Sequence, residues 1–155
     1  GGGRLGLMGA LAAAALAAGG ELIGVIPKAM VSAEVAHHGC TRLEIVATMH
    51  ERKARFTEIA DGFLTLPGGV GTMDELWEAI SWSQLGYHSK PIGLLNVAGY
   101  YDGLIAFNAH MSETGFVRGD HRAIMICGDR LDEVLERMGN YKPHRTLFAM
   151  KAEDL

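Results

Sequence analysis

The sequence is poor in cysteine, with Cys40 and Cys127 as its 2 cysteines in 155 residues. Two cysteines provide neither a disulfide framework nor the clustered spacing of a zinc site. Cys127 ends an apolar run that begins at Ala123, so we expect it to be a small core residue. Chains without a disulfide framework are typical of reducing compartments, and we therefore expect a cytoplasmic location.

Clustered positive charge and long apolar runs are also missing. The net charge is −4 and no basic stretch exceeds a pair, whereas binding to a phosphate backbone needs clustered Lys and Arg. The apolar stretch from Leu5 to Ala18 is too short to cross a bilayer, and it lacks the basic start and cleavage site of a signal peptide. We expect neither nucleic acid nor a membrane as a partner, and residues 1–155 fit a single domain.

Short apolar runs alternate with segments of helical periodicity. The predicted strands lie near Leu22–Ile26, Leu43–Ala47, Gly62–Leu66, Pro91–Asn96 and Ala123–Cys127. The predicted helices lie near Gly6–Ala18, Glu51–Ala60, Met73–Gln84, Tyr101–Glu113 and Asp129–Met138. The strands lack alternation of apolar and polar residues, which indicates burial on both faces. This order predicts an α/β fold with a Rossmann-like open parallel sheet and helices on both faces.

The chain opens on a glycine-rich segment, GGGRLGLMG, from Gly1 to Gly9. It matches the dinucleotide-binding pattern G-x-G-x-x-G, and an acidic residue follows at Glu21. A tight turn with close helix-sheet packing explains the same glycines, so both interpretations stay open. Such a loop normally follows a strand, so we expect a strand and helix ahead of Gly1 that this sequence lacks.

A second glycine loop, LPGGVGTMDE, spans Leu66–Glu75 and runs from a predicted strand into a predicted helix. Gly68, Gly69 and Gly71 allow positive φ and leave room for a ligand. Backbone N–H groups at the helix start carry the positive end of the helix dipole, so a phosphate fits there, with the Thr72 hydroxyl as a further donor.

The same loop has a purely structural interpretation. Thr72-Met73-Asp74-Glu75 matches a capping box, in which Thr72 caps the helix and Glu75 reaches back to the Thr72 N–H. Capping alone does not require three glycines, which favours ligand binding. The loop is not a Walker motif, because no Lys follows its last glycine.

The segment MHERK, Met49–Lys53, follows the predicted strand Leu43–Ala47. It is expected at the carboxyl edge of the same sheet as the second glycine loop, where open α/β sheets bind ligands. Arg52 and Lys53 near a helix start oppose the dipole, which favours a nearby anion. A solvated basic pair is the alternative.

Together these segments resemble the lonely guy family of cytokinin-activating phosphoribohydrolases, often labelled lysine decarboxylase-like. The matching text is GGGRLGLMG, GVIP, MHERK, LPGGVGTMDEL and SWSQLGYHSKPIGLLNVAGYYDGL. The resemblance covers most of the chain from Gly1 to about Gly119. Two features depart from the family pattern. The family's opening strand-helix-strand unit is missing ahead of Gly1, and Thr48 stands where an acid is common.

The resemblance implies a Rossmann-like enzyme that works as a homodimer or larger homo-oligomer, without metal or cofactor. It implies hydrolysis of the N-glycosidic bond of N6-substituted adenosine 5′-monophosphates, or of AMP, to free base and ribose 5-phosphate. By resemblance, Arg52 and Glu75 are the catalytic pair. The residues implied to bind substrate are Glu34, Lys53, Gly68, Gly69, Val70, Gly71, Thr72 and Ser81.

Two other classes of protein compete with this enzyme. A molybdenum-cofactor carrier protein has a related fold and glycine loop but binds its ligand without reacting it, and the MHERK segment favours the enzyme over it. A nicotinamide-dependent dehydrogenase would use the glycines from Gly1 to Gly6. The histidines are scattered along the chain and predict no metal site.

Overall fold

The computed structural model describes residues 1–32 and 36–148. By contacts between Cα atoms the chain divides into two compact units, Gly1–Ile59 and Ala60–Leu155. The first contains α1 (Gly6–Ala17), β1 (Ile23–Pro27), α2 (Lys28–Ser32), β2 (Arg42–Val46) and α3 (Met49–Ile59). The second contains β3 (Phe63–Thr65), α4 (Val70–Leu85), β4 (Ile92–Leu95), α5 (Asp102–Glu113), β5 (Met125–Gly128) and α6 (Leu131–Gly139). Short 3₁₀ turns lie at Val97–Gly99 and Gly119–Ile124.

Every strand pairing between these elements is parallel. β1 pairs with β2, and β4 lies between β3 and β5. Parallel strands flanked by helices confirm the predicted Rossmann-like α/β class. The expectation that MHERK and the second glycine loop follow strands of the same sheet is wrong. Among the described strands, β2, which precedes MHERK, pairs with β1, and β3, which precedes the loop, belongs to a separate sheet with β4 and β5.

In the first unit, the opening glycines pass close over β1. A Cβ atom added to Gly2 would lie 3.1 Å from the Ile26 Cβ, and one added to Gly24 would lie 3.1 Å from the Gly2 Cα. Gly3 forms an isolated antiparallel bridge with Ala36. Val25 and Ile26 are buried beneath this crossing, at 0% and 1% exposure. Gly2 therefore permits close packing of the opening segment on β1, which agrees with one of the two interpretations offered for these glycines.

In the second unit, α4 is anchored by a hydrophobic core. Its apolar side chains recur at helical spacing and pack with buried residues of β4 and β5, the whole cluster being Leu76, Ala79, Ile80, Ile92, Leu94, Tyr101, Ile124 and Met125. The helix ends at Gly86, which takes a left-handed φ of 99° and suits glycine. Because core packing fixes α4 along its length, the position of its first turn is fixed as well.

The chain after α6 returns to the carboxyl end of α4. The Leu147 N–H donates to the Gln84 carbonyl at 2.7 Å. His144 bridges two groups, with Nδ1 2.9 Å from the Tyr141 hydroxyl and Nε2 3.1 Å from the Ser83 carbonyl. Across residues 1–32 and 36–148, no helix combines the length and apolar character that crossing a membrane requires.

Candidate functional site

The second glycine loop leads into the first turn of α4 without a side-chain cap. Gly69 is the N-cap, with φ −92° and ψ −154°, and α4 begins at Val70. The first helical hydrogen bond runs from the Met73 N–H to the Gly69 carbonyl at 3.1 Å, so the N–H groups of the three preceding residues have no acceptor within the helix. The predicted capping box is wrong, because Thr72 is the third residue of the helix rather than its N-cap.

The glycines of this loop are needed for space and not for backbone conformation. The expectation of positive φ is wrong, since Gly68, Gly69 and Gly71 are absent from the glycines that take positive φ. A Cβ atom on Gly68 would lie 2.7 Å from the Thr72 Cβ, whereas one on Gly69 or Gly71 would meet nothing within 4 Å. Gly68 therefore lets the loop backbone pack closely against the Thr72 side chain, while Gly69 and Gly71 leave open space in front of the helix start.

Glu75 follows this opening by one helical turn. It is half-buried in α4 and lies four residues after Gly71, which places the two on the same face of the helix, about 6 Å apart along the axis. Thr72 shares that side of the first turn, and Val70 is 88% exposed. Ser81 is exposed six residues beyond Glu75, about 240° around the helix, so α4 does not present Ser81 on the face of Glu75.

Two tyrosines that the sequence analysis missed bind the carbonyl groups of this loop. The Tyr101 hydroxyl donates to the Leu66 carbonyl at 2.7 Å, and the Tyr100 hydroxyl donates to the Gly68 carbonyl at 2.8 Å. Burial raises the pKa of Tyr101 above its ordinary value, so its hydroxyl stays protonated and remains a donor. The paired aromatics in NVAGYYDGL were a visible signal, but nothing local in the sequence indicates which carbonyls they reach.

In the first unit, α3 carries the predicted catalytic arginine. Arg52 is 5% exposed, its Nε donates to the Val25 carbonyl at 3.0 Å, and its guanidinium carbon lies 4.9 Å from the centroid of the Phe56 ring. The alternative of a solvated basic pair is therefore wrong for Arg52. The contact with β1 and the cation–π contact with Phe56 fix the plane of the guanidinium. The adjacent Lys53 is half-buried.

The start of α3 is capped, which the sequence analysis also missed. The Thr48 hydroxyl accepts from the Glu51 N–H at 3.1 Å, and a Glu51 carboxylate oxygen accepts from the Ala47 N–H at 2.9 Å. This arrangement is close to a capping box. These bonds give Thr48 and Glu51 a structural role at the start of the helix that carries Arg52.

The remaining predicted site residue, Glu34, lies outside the described residues. Within the part of the chain that is described, no group of three or more His, Cys, Asp and Glu side chains is arranged to hold a metal ion.

Comparison with known proteins places the chain in a family. Residues 8–138 match the family model described as possible lysine decarboxylase. The chain is 47% identical over 141 residues to the probable cytokinin riboside 5′-monophosphate phosphoribohydrolase LOGL1 of Oryza sativa subsp. japonica, covering 91% of this chain and 63% of that protein. It is 41% identical over 151 residues to the cytokinin riboside 5′-monophosphate phosphoribohydrolase LOG1 of Arabidopsis thaliana, covering 97% of this chain and 71% of that protein.

A third relative, the cytokinin riboside 5′-monophosphate phosphoribohydrolase LOG5 of Arabidopsis thaliana, is 42% identical over 143 residues, which are 92% of this chain and 63% of that protein. The chain thus spans somewhat less than two thirds of the length of the rice relative and of this one. Both the family model and the identity over nearly the whole chain agree with the motifs that carried the resemblance. The chain belongs to the lonely guy (LOG) family.

Proposed function

We propose that this chain hydrolyses the N-glycosidic bond of adenosine 5′-monophosphates, including N6-substituted ones, to free base and ribose 5-phosphate. The observation that carries the proposal is the uncapped start of α4, open in front of Gly69 and Gly71, with Glu75 one turn later on the same face. The names of the relatives support the reaction, since they are called phosphoribohydrolases and not decarboxylases.

The first turn of α4 is suited to a phosphate. Its outward N–H groups carry the positive end of the helix dipole, and open space at the two glycines lets a ligand reach the backbone. The proposed substrate contacts here are Gly68, Gly69, Val70, Gly71 and Thr72. Because a bound phosphate restricts the rest of the nucleotide, it would help to position the sugar near the next turn of the helix.

Glu75 is the proposed catalytic carboxylate. Breaking an N-glycosidic bond develops positive charge on the sugar, as in other glycoside cleavages. A carboxylate at the sugar stabilises that charge and orients or deprotonates the attacking water. The spacing of about 6 Å along the axis between Gly71 and Glu75 is on the scale of the ribose that separates the phosphate from the bond to be broken.

Arg52 is the proposed partner in catalysis. A guanidinium does not lose its proton readily, so it would donate a hydrogen bond to the departing base or the sugar rather than act as a general acid. Its burial and its bond to the Val25 carbonyl suit a group that donates from a constant orientation. Lys53, Glu34 and Ser81 are proposed substrate contacts on the strength of the family resemblance.

We also propose a cytoplasmic homodimer or larger homo-oligomer. Support for self-association comes from α1, whose sequence GLMGALAAAALA has no charged residue. Three of its large side chains are exposed, Leu7 at 56%, Met8 at 39% and Leu11 at 58%, and contiguous exposed apolar side chains favour association. Sedimentation equilibrium of the chain would show a monomer if this proposal is wrong.

The reaction is tested by product release from AMP and from N6-isopentenyladenosine 5′-monophosphate, with the free base separated by chromatography. We expect base release by the natural sequence and a loss of about 10²- to 10⁴-fold in Glu75→Gln, the range for removing a positioned acid-base group. Gln matches Glu in helix propensity and Glu75 lies beyond the first turn, so folding should be unchanged.

The matched control is Asp74→Asn, which removes an equal charge from the neighbouring, exposed position of the same helix. It should retain activity within about twofold, because surface substitutions away from a site have small effects. Equal activity in the Glu75 and Asp74 variants would contradict the role of Glu75. Tight nucleotide binding by the natural sequence without any base release would contradict the reaction and favour a carrier protein.

A further inference from the structure

The second glycine loop is held by a segment far from it in sequence. The Tyr100 hydroxyl donates a hydrogen bond to the Gly68 carbonyl, 32 residues away, and the Tyr101 hydroxyl donates one to the Leu66 carbonyl, 35 residues away. The two rings contact each other edge to face, with centroids 4.9 Å apart. Tyr101 is buried at 3% exposure, whereas Tyr100 is 58% exposed. Tyr101 therefore belongs to the core, and Tyr100 lies at the surface beside the loop.

The segment that presents these tyrosines is itself fixed in an unusual conformation. Asn96 accepts from the Tyr101 N–H at 2.7 Å and donates from Nδ2 to Asp102 at 2.8 Å. Ala98 and Gly99 both have positive φ, at 50° and 73°. Left-handed φ is unfavourable for alanine and persists only where surrounding contacts enforce it, and such positions concentrate at functional sites.

The bond from Tyr100 determines which way a neighbouring N–H group points. A trans peptide is planar, so the Gly68 carbonyl and the Gly69 N–H belong to one plane and point in opposite directions. Because the carbonyl is directed at the Tyr100 hydroxyl, the Gly69 N–H is directed away from it. A peptide between two glycines has no side chains of its own to limit its rotation, so this hydrogen bond helps to hold it in one orientation.

We propose that Tyr100 is a positioning residue for phosphate recognition, which acts by holding the Gly68–Gly69 peptide with its N–H available to the 5′-phosphate. Tyr101 anchors the entry to the loop at Leu66. This inference rests on the proposed function, because it assigns the phosphate of the substrate to this loop. It assigns a role at the proposed phosphate site to Tyr100, a residue outside the glycine motif.

The test is calorimetric binding of ribose 5-phosphate, AMP and adenosine to Tyr100→Phe. The phenylalanine keeps the ring and removes only the hydroxyl. We expect affinity for ribose 5-phosphate and AMP to fall about fivefold, the effect of losing one neutral hydrogen bond. Affinity for adenosine, which has no phosphate, should be unchanged. In turnover of AMP, KM should rise about fivefold while kcat stays within about twofold, since binding remote from the reacting bond is lost.

The matched control is Tyr141→Phe. It removes a tyrosine hydroxyl that lies 2.9 Å from His144 Nδ1, in the segment that contacts the carboxyl end of α4 rather than the glycine loop. It should leave all three affinities unchanged. Thermal unfolding of both variants shows whether each is folded at the temperature of the binding measurement.

Three results would overturn the proposal: unchanged affinity of Tyr100→Phe for ribose 5-phosphate, an equal loss for adenosine and AMP, or no binding of ribose 5-phosphate by the natural sequence. Measuring base release separates failure of the proposed reaction from failure of the positioning role. If the natural sequence binds ribose 5-phosphate, Tyr100→Phe weakens that binding selectively, and no base is released, the positioning role stands and the hydrolase does not.

Discussion

Replacing Gly71 by alanine should make the protein more stable and less active. Gly71 is the second residue of α4, is exposed, and does not have a positive φ. A Cβ atom there would meet nothing within 4 Å, so alanine fits without strain. The substitution removes conformational freedom from the unfolded chain, and we expect the free energy of unfolding to rise by about 0.5 kcal/mol.

Activity should change in the opposite direction. The added methyl group would occupy the open space through which the proposed phosphate approaches the first N–H groups of α4. Displacing a bound group by about 1 Å can cost about 100-fold in rate, so we expect kcat/KM for AMP to fall by about two orders of magnitude. Urea unfolding followed by circular dichroism measures the stability, and chromatography of free adenine measures the activity.

Gly68→Ala provides the contrasting variant. Its Cβ would lie 2.7 Å from the Thr72 Cβ, which the helix backbone holds in place, so the loop or the helix start must shift. We expect a loss of about 1–3 kcal/mol in the free energy of unfolding, as for other overpacked sites. Full activity in Gly71→Ala would refute the placement of the phosphate in front of Gly71. Equal destabilisation by Gly68→Ala and Gly71→Ala would refute the conclusion that a side chain fits at Gly71 and clashes at Gly68.

Two further predictions concern stability in the second unit. Ala98→Gly should raise the free energy of unfolding, measured in urea, by about 0.5–1 kcal/mol, because glycine relieves the strain of a left-handed residue at φ 50°. The control Ala106→Gly, within helix α5, should lower the free energy of unfolding by about 1 kcal/mol. A similar loss of stability in both variants would contradict the assignment of strain to Ala98. His88 is buried and its pKa is lowered to about 4 by burial, while Nε2 donates to the Ala79 carbonyl and Nδ1 accepts from the Lys90 N–H. Since the unfolded state binds the proton first as pH falls, stability should be complete above about pH 6.5 and decrease towards pH 4, by about 1–2 kcal/mol between pH 7 and pH 5. This loss of stability at low pH should persist in His110→Gln, a substitution at an exposed position, and should be smaller in His88→Gln. If the stability of His88→Gln depends on pH as before, another group is responsible.

The capping motifs show where sequence patterns are ambiguous. The pattern T-x-x-E lies near the start of two helices, at Thr48–Glu51 and at Thr72–Glu75. In the structure the first caps its helix, whereas the second lies inside a helix that begins at Val70. The difference depends on where the helix begins, and Gly69 already has the extended backbone conformation of an N-cap. A four-residue pattern contains no information about the turn that precedes it, so it cannot separate the two cases.

The order of helices and strands, by contrast, followed from the sequence alone. Continuous apolar runs such as Pro91–Asn96 and periodic segments such as Asp129–Met138 correspond to β4 and α6 with shifts of one or two residues. Helix α2 was not predicted, since its five residues are too few to show a helical period. The glycine loop and Glu75 were also identified locally, because a strand, three glycines and a helix follow one another directly along the chain.

The sequence by itself determined the α/β order, the glycine loop ahead of α4 and the family to which the chain belongs. Only the tertiary structure decided that Arg52 is buried against the Val25 carbonyl and that Tyr100 binds the Gly68 carbonyl. These contacts join residues 27 and 32 positions apart. Local preference and periodicity act over one or two turns of chain, whereas contacts at this separation depend on how the strands between them pack.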